Sequence, residues 1–200
     1  TDSSGNTTTA TRIVNIFDDN TPPTALCQDI SVILNENQIT ITASQIDNNS
    51  TDEFGIASLS INIDSFDCSN LGENTVILTV TDVNGNSSEC SATVTVIDDT
   101  NPTIIAPEDI LSFVNEDSCY TTELALGNPE VEDNCIISSI TNDAPDTFNT
   151  GETIITWTVT DSVGNSSTDT QIITIQDNIP PVITETVGDF AINCQVNNVN

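Results

Sequence analysis

Basic side chains are nearly absent from this chain. Arg12 is its single Lys or Arg, histidine is missing altogether, and 31 acidic residues leave a formal net charge of -30. Neutralising nucleic-acid phosphates takes several Lys and Arg side chains, so nucleic acid is excluded as a partner, and an anionic membrane surface is excluded on the same ground. Without histidine, and with one cationic side chain, a hydrolase triad, a phosphate cradle and a zinc site all lack parts. A carboxylate pair for glycoside hydrolysis is the one catalytic class that residue counts leave open, and the chain reads as a protein that is not an enzyme. Aromatic residues make up 4% of it, with one Trp and one Tyr, too few for an aromatic sugar platform. No run approaches the roughly 18 apolar residues of a membrane span, so direct membrane insertion is not expected, and nothing resembles a signal peptide.

What is present is repetition. "TDSSGNTTTA" opens the chain at Thr1, "TDVNGNSSEC" follows at Thr81 and "TDSVGNSSTD" at Thr160. Self-similarity at a period of about 80 residues is the signature of an array. A second landmark follows each copy of the first. "IFDDNTPPT" begins at Ile16, "VIDDTNPTI" at Val96 and "IQDNIPPVI" at Ile175, each joining an acidic pair or Asp-Asn to proline. Proline cannot donate to a sheet and restricts the residue before it, so a strand ends and a module begins at each place. The expected organisation is the last strand of a preceding repeat plus linker at 1–21, whole repeats at 22–101 and 102–179, and the first strand of a following repeat at 180–200. Val14 and Ile16 would stand in the incomplete first module where Val94 and Val96 stand in the next. The ends then need completion by further sequence of a longer chain or by a strand donated from another copy.

Strand periodicity sets the fold class. Val76, Leu78 and Val80 in "TVILTVTD" match Ile155, Trp157 and Val159 in "TIITWTVTD". Alternate residues point to opposite faces of a strand, so these rows are core and the intervening threonines face outward. Val94 and Val96 match Ile173 and Ile175 in the strand after each glycine turn. Helical periodicity is not evident. Dense turn signals and Thr, Val and Ile enrichment predict an all-β chain of tandem immunoglobulin-like antiparallel β-sandwiches in a linear array. Trp157 is expected to be core packing.

The order of proline linker, "CQDI" or "APEDI", "EDNC" and "TWTVTDSVGNSS" resembles the hyalin-repeat (HYR) domain, in the version tandemly repeated in giant surface proteins of flavobacteria and other Bacteroidetes. The resemblance covers nearly the whole chain. It implies an immunoglobulin-like fold and an extracellular, adhesive or structural role at the cell surface; it implies neither catalysis nor a particular ligand.

Six cysteines in a repeat protein of this type imply an oxidising compartment. Cys27 and Cys90 align with Ala106 and Asp169 of the next repeat, so both are replaced together, which predicts a Cys27–Cys90 bridge. In the second repeat Cys119 and Cys135 are the expected pair. Where the flavobacterial pattern usually reads "DACG" this chain reads "DEFG", with Phe54 in place of the cysteine expected to partner Cys68. Cys68 is then a buried free thiol, or the pairing in its repeat differs. A partner for Cys194 is expected beyond Asn200.

Carboxylates are the candidate ligands. In an immunoglobulin topology the loop between the last two strands, the loop between the second and third, and the incoming linker share one end of the sandwich. That gathers Asp82, Asp52 and Glu53 beneath Asp18 and Asp19, and Asp161, Glu132 and Asp133 beneath Asp98 and Asp99. Crowded carboxylates with no cationic neighbour repel one another, and calcium relieves this by accepting about 6–8 oxygen ligands. The linkers "DDNTPP" and "DDTNP" faintly resemble those of cadherins, without the full motifs. Asp82 and Asp161 also suit a plainer role, accepting hydrogen bonds from their own turn. Asn6, Asn48, Asn49, Asn86 and Asn165 match the N-glycan acceptor pattern, and "DSV" at Asp161 resembles a short O-glycosylation motif that would put sugar on Ser162.

These features predict a non-catalytic extracellular stalk or fibre segment with calcium-rigidified junctions, whose partners are neighbouring repeats of one long chain or copies of itself. Surface glycans or proteins are the further partners it could bind. The alternatives are a glycan- or protein-binding module of a secreted multidomain protein, and a strand-donating filament subunit.

Overall fold

The computed structural model of the chain describes residues 3–7, 9–10, 19–114 and 118–180. Asp18, Val14, Ile16 and Cys194 lie outside them. In chain order the elements are β1 (Ile30–Ile33), β2 (Gln38–Thr40), helix α1 (Ala43–Ile46), β3 (Ile56–Ile61), β4 (Ser65–Asp67), a 3-10 turn at Cys68–Asn70, β5 (Gly72–Asp82) and β6 (Ser87–Ile97). The series then continues with β7 (Thr103–Ile105), β8 (Ile110–Phe113), β9 (Tyr120–Thr121), β10 (Glu130–Glu132), β11 (Ile137–Asn142), β12 (Phe148–Asn149), β13 (Gly151–Asp161) and β14 (Ser166–Gln176). The protein is all-β apart from short helical turns. Helix α1 is too short to show a helical period in sequence; Gln45 Oε1 accepts from Thr42 N at 2.7 Å and closes its first turn.

The chain divides into two compact units: residues 1–31, 40–66 and 72–95 in one, and 32–39, 67–71 and 96–200 in the other. One four-stranded sheet runs β1-β6-β5-β3 and is accompanied by the pair β2-β4; the other runs β8-β14-β13-β11 and is accompanied by β7-β10 and β9-β12. The register repeats too. Ile56 pairs with Asp82 and Ile137 with Asp161, and each ladder has an irregularity just after that pair. A residue added there to one strand re-aims the loop that precedes it.

Alternation explains why these sheets form sandwiches. Val76, Leu78, Val80 and Asp82 on β5 are buried, as are Ile155, Trp157, Val159 and Asp161 on β13. Ala92, Val94 and Val96 on β6, and Gln171, Ile173 and Ile175 on β14, complete the inner rows. In the second unit Ile155, Trp157, Ile173 and Ile175 pack with Val114 and with Phe148 from the opposing pair β9-β12. Each such aliphatic side chain contributes about 1.5–3 kcal/mol when removed from water. Trp157 is core, and its Nε1 donates to Gln171 Oε1 at 3.2 Å. Gln171, fully buried, donates in turn to the carbonyls of Glu108 at 2.7 Å and Leu126 at 3.0 Å. Leu78 and Ala92 occupy the matching positions of the first repeat, where no indole requires a partner.

The cysteines differ from expectation in one pairing. Cys27 and Cys90 are joined, with Cα atoms 5.8 Å apart. At the aligned positions the backbone N of Ala106 donates to Asp169 Oδ2 at 2.8 Å, so a hydrogen bond stands where the first repeat has a covalent bond. The predicted Cys119–Cys135 bridge is not formed. Cys135 is bonded to Cys68, with Cα atoms 5.6 Å apart, and both residues belong to the second compact unit. Geometry explains the difference. The carbonyl of Cys119 accepts from Thr150, just before the start of β13, whereas Cys135 lies two residues before Ile137, which pairs with Asp161 at the end of β13. Ten residues of strand separate those ends by roughly 33 Å, far beyond the roughly 7 Å that a disulfide spans between Cα atoms. Cys119 is itself in a disulfide, and no described cysteine is free.

Candidate metal centres

Two groups of three aspartates stand at equivalent places in the two units. The carboxylate oxygens offered by Asp19, Asp52 and Asp82 lie within 4.8 Å of one another, and so do those of Asp98, Asp133 and Asp161. Each group takes one residue from the incoming linker, one from the loop before β3 or β11, and one from the end of β5 or β13. The inward row of the central strand carries the third member, because Asp82 continues the series Val76, Leu78, Val80 and Asp161 the series Ile155, Trp157, Val159.

The turn after each central strand fixes that aspartate. Asp82 Oδ1 accepts from the backbone N of Asn84 at 2.8 Å and of Asn86 at 2.9 Å, while Asn86 Nδ2 donates to Asp82 Oδ2 at 2.7 Å. Asp161 Oδ1 accepts from Val163, Gly164 and Asn165 at 2.9, 2.7 and 2.8 Å, and Asn165 Nδ2 donates to Oδ2 at 2.8 Å. Gly85 and Gly164 sit at φ of 93° and 101°, a conformation that a side chain at these points of the turn would strain. Burial pushes the Asp82 carboxyl up, but the hydrogen bonds from Asn86, Asn84 and Gly85 together outweigh it and hold the group below the usual carboxylate value of 3.8. The same opposition, with Asn165, Gly164 and Val163 as donors, leaves Asp161 lowered as well.

The second hydrogen of each asparagine amide reaches the linker. Asn86 Nδ2 donates to the carbonyl of Asp19 at 3.0 Å and Asn165 Nδ2 to that of Asp98 at 3.2 Å. The sequence marks these asparagines only as glycan acceptors; the signal for this second role is their recurrence after the glycine in every copy of the motif. With both amide hydrogens engaged, an N-linked sugar on Asn86 or Asn165 would break one of the two bonds. Asn48, Asn49 and Ser162 are exposed.

Several oxygens in these groups have no protein partner. Asp19 and Asp98 are 8% and 6% exposed, and Oδ2 of each is buried without a hydrogen bond; Asp133 Oδ1 and Asn134 Oδ1 are in the same state. Their sister atoms are used: Asp19 Oδ1 accepts from Thr21 N at 3.0 Å, Asp98 Oδ1 from Thr100 N at 3.1 Å and Asp133 Oδ2 from Cys135 N at 3.1 Å. Asp52 Oδ1 accepts from Phe54 N and Gly55 N at 2.8 and 3.1 Å. A buried charged oxygen without a donor is costly, and the described residues include no Lys, Arg or His to offset it. All the donors are hard oxygens, three of them carboxylates, a set that fits calcium. Asp19, Asp52 and Asp82 would hold one ion, and Asp98, Asp133 and Asp161 another. Glu53, Asp99 and Glu132, also expected as ligands, are exposed and belong to neither group. Each is a chain neighbour of a grouped aspartate; Glu132 closes strand β10, where adjacent side chains point to opposite sides, while Glu53 follows Asp52 into the bend that Phe54 N and Gly55 N close on the Asp52 carboxylate.

No family model matches the chain. Hyalin from Strongylocentrotus purpuratus is 29% identical over 199 residues, which cover 94% of this chain and 17% of that protein. Hyalin from Lytechinus variegatus is 28% identical over 194 residues, covering 91% and 37% respectively. The chain therefore spans well under half the length of either relative. Among solved structures, Drosophila N-cadherin EC1-4 is 13% identical with a TM-score of 0.40, covering 78% of this chain and 50% of that one. Human protocadherin-24 EC1-2 is 13% identical with a TM-score of 0.38, covering 80% and 100%. Similarity to hyalin thus runs over nearly the whole chain, and the hyalin-like character read in its motifs is found in the sequence at large.

Proposed function

We propose that this chain is a non-catalytic segment of an extracellular adhesive repeat protein, and that calcium at the two aspartate groups ties each incoming linker to the sandwich that follows it. The observation that supports this reading above all is the recurrence, in both repeats, of a linker aspartate whose buried Oδ2 has no partner beside two further carboxylates. A divalent ion there would neutralise carboxylates that have no cationic side chain among the described residues and would fix the linker to the loops on either side of the central strand. The disulfides favour an oxidising, extracellular setting, and the similarity to hyalin favours a repeat protein. A stalk or fibre at a bacterial cell surface is the setting that the flavobacterial resemblance implies.

Calcium titration by calorimetry tests the reading. The expected result is two ions per chain, a melting temperature that falls on chelation and recovers with calcium, and the loss of one ion in each of Asp82→Asn and Asp161→Asn. No binding heat, together with a melting temperature indifferent to chelator, would leave the carboxylates as solvated surface.

A further inference from the structure

We infer that the Cys68–Cys135 disulfide sets the affinity of the second calcium site, so that two sites alike in their carboxylates differ in their response to reduction. The inference rests on the calcium reading above. Asp133, Asn134 and Cys135 are consecutive, and each is tied to the site differently. Asp133 offers one oxygen to the group, its Oδ1 buried without a partner. The Asn134 amide donates to the carbonyl of Leu34 at 2.7 Å and to Asp98 Oδ1 at 3.2 Å, which leaves its own buried Oδ1 unpartnered. Cys135 donates its backbone N–H to Asp133 Oδ2 and is covalently bonded to Cys68. The disulfide therefore anchors the residue that orients Asp133, and through Asn134 the same short loop holds Asp98, which is 6% exposed.

The first site is built differently. Counting back from Ile56 and Ile137, which pair with Asp82 and Asp161, Asp52 matches Asp133, Glu53 matches Asn134 and Phe54 matches Cys135. Glu53 is exposed and Phe54 is 51% exposed. Among the described residues Phe54 and Gly55 donate to Asp52, and its loop contains no cysteine that could anchor it covalently. Ordering a loop on binding opposes affinity, and a constraint that has already ordered it removes that opposition. Reduction reverses this at the second site. An external dithiol delivers two electrons and two protons to the sulfurs of Cys68 and Cys135, leaving two thiols, and closes to its own disulfide. The loop from Asp133 to Cys135 is then released and must be ordered again by the ion.

The test uses the full chain carrying Asp82→Asn, in which the second site alone remains. Its calcium affinity, measured by calorimetry, should weaken about tenfold on treatment with a dithiol. Adding Cys68→Ser and Cys135→Ser should give the weakened affinity from the outset, indifferent to dithiol even though the Cys27–Cys90 bridge is still reducible. The chain carrying Asp161→Asn, with the first site alone, should show no comparable change. Amide exchange at residues 132–136 should quicken on reduction, a readout that stands if the serine variant fails to fold. Equal affinity of the second site with and without the disulfide overturns this inference and leaves the calcium reading intact; absence of calcium binding in both single-site chains overturns both.

Discussion

Asn86 and Asn165 show how much one side chain settles. Each spends one amide hydrogen on the aspartate of its turn and the other on the linker carbonyl. Asn165→Ala removes both bonds without touching a carboxylate, so it should lower the melting temperature of the chain and weaken calcium at the second site, while Ser162→Ala, at an exposed position, should do neither; thermal melts with and without chelator compare them. Gln171 is the other residue whose removal has a defined result. It is fully buried and satisfies Trp157 Nε1 and two carbonyls. Gln171→Leu strands all three and should cost about 3 kcal/mol in denaturant unfolding, whereas a surface leucine substitution would change little. Asp169 gives a pH signature. The backbone N–H of Ala106, and then that of Thr170, hold its carboxyl below the usual value of 3.8. A carboxyl lowered in the folded state stabilises above its unfolded pKa and loses that contribution as pH falls through the folded value. Asp169→Asn should therefore be less stable than the parent at neutral pH, with the difference closing below about pH 4.

At the scale of elements, the long hairpins β5-β6 and β13-β14 are the same object with different fasteners. The first is joined to the entering chain by Cys27–Cys90 across a sequence separation of 63. In the chain-entropy model such a loop stabilises by about 4 kcal/mol, the loss expected in denaturant unfolding of Cys27→Ala with Cys90→Ala. The second has the Ala106 to Asp169 hydrogen bond at the matching place. The pair Ala106→Cys and Asp169→Cys should close spontaneously in oxidising conditions, add one bridge to a non-reducing peptide map and raise the melting temperature. Failure of that bridge to form would mean that the two repeats are less alike at this edge than their registers indicate.

For the molecule as a whole, a formal charge of -30 with one basic residue is a self-repelling surface. Screening between exposed charges becomes strong once the Debye length falls to about 10 Å, near 0.1 M salt. Monovalent salt alone should therefore raise the melting temperature. Calcium bound at the aspartate groups should raise it further at high salt, where screening is already saturated; a calcium effect that vanishes there would be screening as well. Equilibrium melts across sodium chloride concentrations, with and without calcium, separate the two.

The sequence by itself determined the strands that form the core, because strand periodicity is local: the rows at Val76, Leu78, Val80 and at Ile155, Trp157, Val159 are visible two residues at a time, and the turn motif that ends them keeps its Thr-Asp, its Gly-Asn and its Ser-Ser in both repeats. It also determined that Cys27 and Cys90 share a fate, since the neighbouring repeat replaces both. Only the tertiary structure decided which of the remaining cysteines meet. Cys119 and Cys135 are close in sequence but stand at opposite ends of β13, while Cys68, far from Cys135 along the chain, lies beside it. The same holds for the carboxylates. Composition supplied an excess of acids, but Asp19, Asp52 and Asp82 converge while Glu53 and Asp99 face water, because the path of the linker and of the loop before β3, and the register of a distant strand, decide which acid of each adjacent pair is turned inward.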